Sequence, residues 1–148
     1  EYRNFDLTMF WQGVFNIDVE NIQKYHTDFW SVRETGSNKG RRLLDAWSPS
    51  NPDSDIPAIS ATDTNWENRL STYFIENGSY LKLRTLQLGY TLPKRWAFKV
   101  KMDKFRLYVS GQNLLTIKSK SFTGIDPENP AFGYPIPMSF TVGANISF

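Results

Sequence analysis

The sequence predicts an all-β chain, four antiparallel strands of a transmembrane β-barrel joined by two long extracellular loops and one short periplasmic turn. Three observations carry this. Apolar and polar residues alternate with period two in four stretches, at 2–15, 80–92, 104–117 and 138–148. These stretches match the roughly 9–11 residues of a tilted membrane strand rather than the roughly 5–6 of an ordinary soluble one. The connections between them run long, short, long, the pattern of a bacterial barrel.

In the first strand Phe5, Leu7, Met9, Trp11 and Phe15 share a face opposite Asn4, Asp6, Thr8 and Gln12, with Phe10 the one bulky intruder on the polar side. The second strand changes phase: Leu81 and Leu83 are odd-numbered, while Leu86, Leu88, Tyr90 and Leu92 are even-numbered. A slip of one residue turns every later side chain to the wrong face unless a bulge absorbs it, so a β-bulge is expected near Thr85. The third strand alternates Phe105, Leu107 and Val109 with Arg106, Tyr108, Ser110 and Gln112. The fourth is the cleanest: Phe140, Val142, Ala144, Ile146 and Phe148 oppose Thr141, Gly143, Asn145 and Ser147.

Residues 16–79 and 118–137 are the expected extracellular loops, and 93–103 the periplasmic turn, which leaves the carboxyl end on the periplasmic side. A loop as long as 16–79 is expected to carry structure of its own. Val19–Trp30 reads as a short helix with Ile22, Tyr25 and Phe29 on one stripe, and Ser48–Pro57 reads as irregular. Four strands have two bare edges, whereas in hydrocarbon every backbone N–H and C=O must pair within protein. Single-chain barrels have at least about eight strands. The chain is therefore expected to be a piece of a larger barrel, completed by further chain rather than by copies of itself.

Composition narrows the chemistry. A net charge of +2 with both signs scattered is no nucleic-acid footprint. The tight basic run Lys39-Gly40-Arg41-Arg42 lies in a Gly/Ser/Asn-rich stretch and reads as a solvated loop. Without cysteine there are no disulfides, thiol nucleophiles or Cys-based zinc sites. His26 is the single histidine and makes no zinc site alone. Asp53, Asp55 and Asp63 lack the spacing, Gly and terminal Glu of a calcium loop. Asp126 and Glu128 could pass for a carboxylate pair, but Asp-Pro and Asn129-Pro130 are turn formers first. Neither catalysis nor a cofactor is expected. No apolar run approaches the roughly 18 residues of a membrane helix, and residues 1–4 do not open a secretory leader.

Several stretches resemble a known family. Tyr80–Pro93 (YLKLRTLQLGYTLP), Arg106–Leu114 (RLYVSGQNL), Gly124–Glu128 (GIDPE) and Tyr134–Gly143 (YPIPMSFTVG) are similar to the closing segment of SusC/RagA-type TonB-linked outer-membrane transporters, and Phe5–Gly13 (FDLTMFWQG) fits the strand just upstream. Ile125 and Met138 depart from the Tyr and Arg often found there. The resemblance implies a plugged barrel of about twenty-two strands, of which these would be the last four. It also implies a SusD-like surface lipoprotein as a lid, opening driven by TonB through regions absent here, and oligosaccharide or peptide cargo.

Candidate roles follow from this placement. Phe140, Val142, Ile146 and the terminal Phe148 form the pattern that outer-membrane assembly machinery recognises, as well as a lipid-facing row. Trp11, Phe15, Tyr90, Trp96, Phe105 and Tyr134 lie near strand ends and read as interfacial girdle aromatics in preference to cargo-stacking rings. Trp30, Trp47 and Trp66 are the sugar-contact candidates if the cargo is a glycan, against the blander reading that they pack their own loop. Two rival readings remain. One is a soluble secreted β-sandwich that binds carbohydrate. The other is a trimeric anchor with four strands per chain, which the long first loop disfavours.

Overall fold

The computed structural model describes residues 2–29, 38–60, 62, 66, 69–131 and 133–148. The chain divides into two compact units: Glu1–Phe15, Tyr80–Ile117 and Ile136–Phe148 form the first, Asn16–Ser79 and Lys118–Pro135 the second. In chain order the elements are β1 (Phe5–Val14), β2 (Asp18–Glu20), α1 (Gln23–Thr27), β3 (Ile75–Asn77), β4 (Tyr80–Thr91), α2 (Lys94–Ala97), β5 (Lys104–Lys118) and β6 (Ser139–Ser147), with 3-10 turns at Arg41–Asp45, Thr72–Phe74 and Phe98–Val100. No described helix is long and apolar enough to cross a membrane.

The first unit is a four-stranded sheet in the order β1-β4-β5-β6. Strands β1 and β4 pair antiparallel from Phe5 with Tyr90 to Val14 with Tyr80, and the register shifts between Phe10, opposite Thr85, and Trp11, opposite Leu83. Arg84 is the extra residue. This is the bulge expected near Thr85, and it does what the sequence required. Leu81 and Leu83 are carried onto the same face as Leu86, Leu88 and Tyr90, opposite Gly13, Trp11, Met9, Leu7 and Phe5. Strands β5 and β6 are also antiparallel and pair two rows: Phe105, Leu107 and Val109 with Ile146, Ala144 and Val142, and Arg106, Tyr108 and Ser110 with Asn145, Gly143 and Thr141. Opposed residues of a sheet share a face, so one face is apolar and the other polar. The apolar face is open: Val142 is 77% exposed, and Phe5, Leu7, Met9, Leu88, Leu107 and Phe140 are exposed too.

On the polar face two glycines make room for larger neighbours. Gly89 lies opposite Asp6. A Cβ there would meet the Arg106 guanidinium and stand 2.5 Å from Asp6 Oδ1. Arg106 Nε donates to Asp6 Oδ1 at 2.9 Å and Nη2 to Oδ2 at 2.5 Å. The bidentate pair thus reaches from β5 to β1 directly over Gly89 on β4. Gly143 similarly underlies the Tyr108 ring, which a Cβ would strike. Gly89→Val is expected to break the Asp6–Arg106 pair and overpack the face, at about 1–3 kcal/mol. The check is a lowered temperature for losing heat-modifiable migration in the full-length protein, with Gly133→Val, a position with open space around it, as the neutral control.

Strand ends differ slightly from the sequence expectation, with local causes. The first strand starts at Phe5, not residue 2, because Tyr2 and Phe5 exchange backbone hydrogen bonds of 3.0 Å about a left-handed Arg3 (φ 54°). It stops at Val14 ahead of left-handed Asn16 (φ 57°). β4 ends at Thr91, ahead of Pro93, although Leu92 still donates to Phe105 O at 2.8 Å. β5 runs one residue further than expected, to Lys118, and β6 excludes Met138 and Phe148.

The second unit is irregular, and the expected helix over Val19–Trp30 is mostly absent. β2 occupies Asp18–Glu20 and pairs with β3, Val19 facing Glu76. Asn21 then turns the chain, its Oδ1 accepting the Gln23 N–H at 3.2 Å, and only Gln23–Thr27 is helical. β-branched Val19 suits a strand, and an Asn side chain that captures the backbone two residues on favours a turn over continued helix. Tyr25 and Phe29 face inward as the stripe predicts, but Ile22 is exposed. Trp30 lies outside the described residues. Two apolar groups consolidate the unit. Leu43, Ala46 and Ile56 pack together. Phe74, 0% exposed, stacks on Tyr25 at 3.8 Å and touches Tyr73 and Phe29 at 5.4 and 5.5 Å.

Candidate functional site

The polar face of the first unit carries its hydrogen-bonding side chains and is where the candidate site lies. Beyond the Asp6–Arg106 pair, its features centre on the bulge. A bulge re-aims the side chain it carries, and here it sends the Arg84 guanidinium across the face. Nε donates to Gln12 Oε1 at 2.9 Å on β1, and Nη1 to Asn113 Oδ1 at 3.3 Å on β5. Asn113 is itself left-handed (φ 54°) and donates to Pro137 O at 3.4 Å. Lys82, opposite Gln12, is buried. This face carries fixed hydrogen-bonding groups, with both charge signs at Asp6–Arg106 and cations around Gln12.

The second unit holds a buried polar knot. Lys24 and Glu76, whose side chains are 8% and 6% exposed, pair at 2.8 Å, and Lys24 Nζ also donates to Tyr73 O at 2.6 Å. The Glu76 carboxylate accepts further bonds from Asn21 Nδ2 (2.8 Å), Thr123 N (2.9 Å) and Thr123 Oγ1 (2.8 Å). Thr123 Oγ1 in turn accepts from Asn21 Nδ2 and from Arg42 Nη1, each at 3.0 Å. Beside it Asp28 accepts from Tyr73 Oη at 2.7 Å and Thr27 Oγ1 at 2.8 Å, and pairs with Arg42 at 3.2 Å. Gln23 clamps the second loop, donating to Ala131 O and accepting from Ile125 N–H, both at 3.0 Å. A buried ion pair persists only when its remaining lone pairs are satisfied, and here they are.

Burial alone would raise the Glu76 carboxyl. Its donors, Lys24 first and then Thr123 and Asn21, outweigh that and hold it below the ordinary glutamate value. Burial, reinforced by the bond to Asp28, pushes the Tyr73 phenol up. A carboxyl whose folded pKa is depressed contributes stability above its unfolded value, about 4.3, and loses it as pH falls through the folded value. The second unit is therefore expected to loosen below about pH 4, read as faster hydrogen exchange around Asn21, Glu76 and Thr123 in the full-length protein. Glu76→Gln should flatten that acid limb while lowering stability at neutral pH, since it leaves Lys24 buried without its counter-charge.

The remaining residues named from sequence are dispersed. Trp47 is half exposed and its backbone N–H bonds Ile56 O at 2.8 Å. Trp66 is exposed, with Arg69 over its ring at 4.6 Å. Trp30 and Asp63 lie outside the described residues, and no ring contact joins Trp47 to Trp66. Of the girdle candidates, Tyr90 packs against Phe5 with ring centres 4.7 Å apart and planes tilted by 47°, Phe105 faces Ile146, and Trp11, Phe15 and Trp96 are exposed. Tyr134 is 98% exposed and lies in the second unit, ahead of β6. Phe140, Val142 and Ile146 lie on the apolar row, and Phe148 follows β6. Asp126 and Glu128 form a turn, Asp126 Oδ1 accepting the Glu128 N–H at 3.0 Å. Arg42 was expected in a solvated run and instead braces the knot. Nothing local marked the knot itself, because Asn21 and Thr123 stand 55 and 47 positions from Glu76 and 102 from each other. Among the described residues no group of acids and histidines is arranged to hold a metal ion.

No family model matches the chain. Among curated proteins it is 32% identical over 99% of its length to TonB-dependent receptor P3 of Formosa agariphila, and 28% identical over its whole length to TonB-dependent receptor SusC of Bacteroides thetaiotaomicron. Among solved structures it superposes on the RagAB peptide transporter with a TM-score of 0.79 at 26% identity, and on the RagAB peptide importer in its closed-closed state with 0.77. The chain spans about 15% of the curated relatives' length and 16% of the solved chain. These relatives are receptors and transporters rather than enzymes. With end-to-end similarity in sequence and backbone, and a sheet whose two faces differ as a membrane strand requires, the chain belongs to the SusC/RagA-type TonB-dependent receptors and forms an antiparallel segment of their barrel.

Proposed function

We propose that the chain is the carboxyl-terminal four-stranded part of the wall of an outer-membrane nutrient importer, its sheet completed by further strands of the same protein. The observation that supports this best is the open apolar face. Phe140, Val142 and Phe5 are exposed on one side while Asp6 pairs with Arg106, and Arg84 with Gln12, on the other. A soluble carbohydrate-binding sandwich would pack its apolar row beneath a second sheet. The names of the relatives, TonB-dependent receptors and SusC, support energy coupling through TonB and a SusD-like surface lipoprotein as partner. The cargo is an oligosaccharide or a peptide. The likeness to a structure described as a peptide transporter favours including peptides.

The test is uptake by the native bacterium. Deleting the full-length gene is expected to abolish import of one fluorescent polymer class, oligosaccharide or oligopeptide, and complementation to restore it. Unchanged import of every class would count against transport. Trp47→Ala and Trp66→Ala in the complementing gene ask whether either loop tryptophan touches cargo: a contact residue weakens uptake at low cargo concentration while receptor abundance holds.

A further inference from the structure

We propose that the short connection between β4 and β5 is a binding site for the phosphate headgroup of a membrane phospholipid. Residues 94–104 hold five cations, Lys94, Arg95, Lys99, Lys101 and Lys104, against one acid, Asp103, although the whole chain has a net charge of only +2. All five cations are exposed. Trp96 and Phe98, 55% and 62% exposed, stand among them. Arg95, Trp96 and Lys99 line a surface recess of about 240 Å³, and Lys99 Nζ lies 5.4 Å from the centre of the Trp96 ring.

The connection is a built platform. Ala97, 1% exposed, is its buried foot. Trp96 and Ala97 N–H groups both donate to Pro93 O, Met102 N–H donates to Ala97 O at 3.1 Å, and Asp103 N–H ties the end to Ser147 O at 2.8 Å. Left-handed Lys101 (φ 56°) closes it. The platform adjoins the ends of the apolar face, where Phe105 pairs with Ile146 and Phe5 with Tyr90. Cations beside an indole at the edge of an apolar band match a lipid in all three of its parts: phosphate for Arg95 and Lys99, the interfacial layer for Trp96, and acyl chain for the row beyond. A soluble acidic protein would engage the cations but leave both aromatic rings without an apolar partner.

This inference rests on the reading of the strands as membrane-spanning, and its test separates the two. Full-length receptor in detergent is titrated with phosphatidylglycerol, phosphatidylcholine or inorganic phosphate, and bound lipid is counted by native mass spectrometry. Phosphatidylglycerol is expected to bind, with Arg95→Ala/Lys99→Ala weakening it roughly tenfold and Arg95→Lys/Lys99→Arg retaining most of it. Arg41→Ala/Lys120→Ala, removing two exposed cations of the second unit, should leave it unchanged. Equal binding by the Arg95/Lys99 alanine variant, an equal loss in the control, or competition by inorganic phosphate at the same concentration as the lipid would each overturn the proposal. A receptor that inserts and imports normally yet shows any of these results removes the lipid site alone. A receptor whose apolar row tolerates charge removes the membrane reading beneath it.

Discussion

Phe74→Ala is expected to unfold the second unit locally while the four-stranded sheet stays folded. Phe74 is fully buried and its ring contacts Tyr25, Phe29 and Tyr73 together. Truncating a buried Phe to Ala costs about 3–5 kcal/mol, from lost transfer energy and the cavity left behind. The stacked and edge-on contacts account for about 0.5–1.5 kcal/mol per pair beyond burial. The Phe74 carbonyl also accepts the Asn21 N–H at 2.7 Å, so disorder at residue 74 spreads to the polar knot. In the full-length receptor, exchange of the Asn21, Glu76 and Thr123 amides should accelerate about 100-fold or more, and limited proteolysis should cut within 16–79. Protection of these amides equal to the unsubstituted receptor would refute the central place given to Phe74. Phe122→Ala, at a ring that is also buried but outside this aromatic group, should cost the unit less.

Val142→Arg should impair barrel assembly, and Thr141→Arg should not. Val142 lies mid-strand in β6 on the open apolar row, opposite Val109. A lipid-facing arginine at the bilayer midplane costs about 2–4 kcal/mol, whereas inward-facing positions accept polarity. Thr141 is the neighbouring residue on the other face, opposite Ser110. Asn145→Arg is a sterner control, because its partner is Arg106. Like charges placed directly opposite cost up to about 1 kcal/mol, although Asp6 already neutralises that guanidinium. The measurements are the heat-modifiable folded fraction and surface abundance of the full-length receptor. Equal tolerance at 141 and 142 would contradict a membrane-facing row.

The strands were legible because a barrel segment writes its two environments into alternate residues. Even the β4 bulge showed in the sequence, since Leu83 and Leu86 have opposite parity and only an inserted residue reconciles them with one apolar face. What Arg84 would do there was not visible, because its partners Gln12 and Asn113 come from strands that only the folded sheet brings alongside. The long loop was read less well for a related reason. Its short helix depends on the tertiary partners of Tyr25 and Phe29, and the stripe gave no hint that Asn21 would turn the chain first. Arg42 looked like part of a solvated basic run because charge composition does not reveal an Asp28 fourteen positions earlier. The Trp96 turn was read for its ring alone, and its cations gain meaning only when α2 and its 3-10 extension gather them.

The knot also bears on the order in which the chain can mature. Glu76 is satisfied by Lys24 and Asn21 from the first loop and by Thr123 from the second, and between those loops the chain must run through both β4 and β5. Closing contacts so distant in sequence is slow and entropically costly until the intervening segments are in place. The first loop can therefore collapse early around Phe74, but a carboxylate waits there half-coordinated until the following hairpin has been delivered. A completed knot thus becomes a report that β4 and β5 have been delivered.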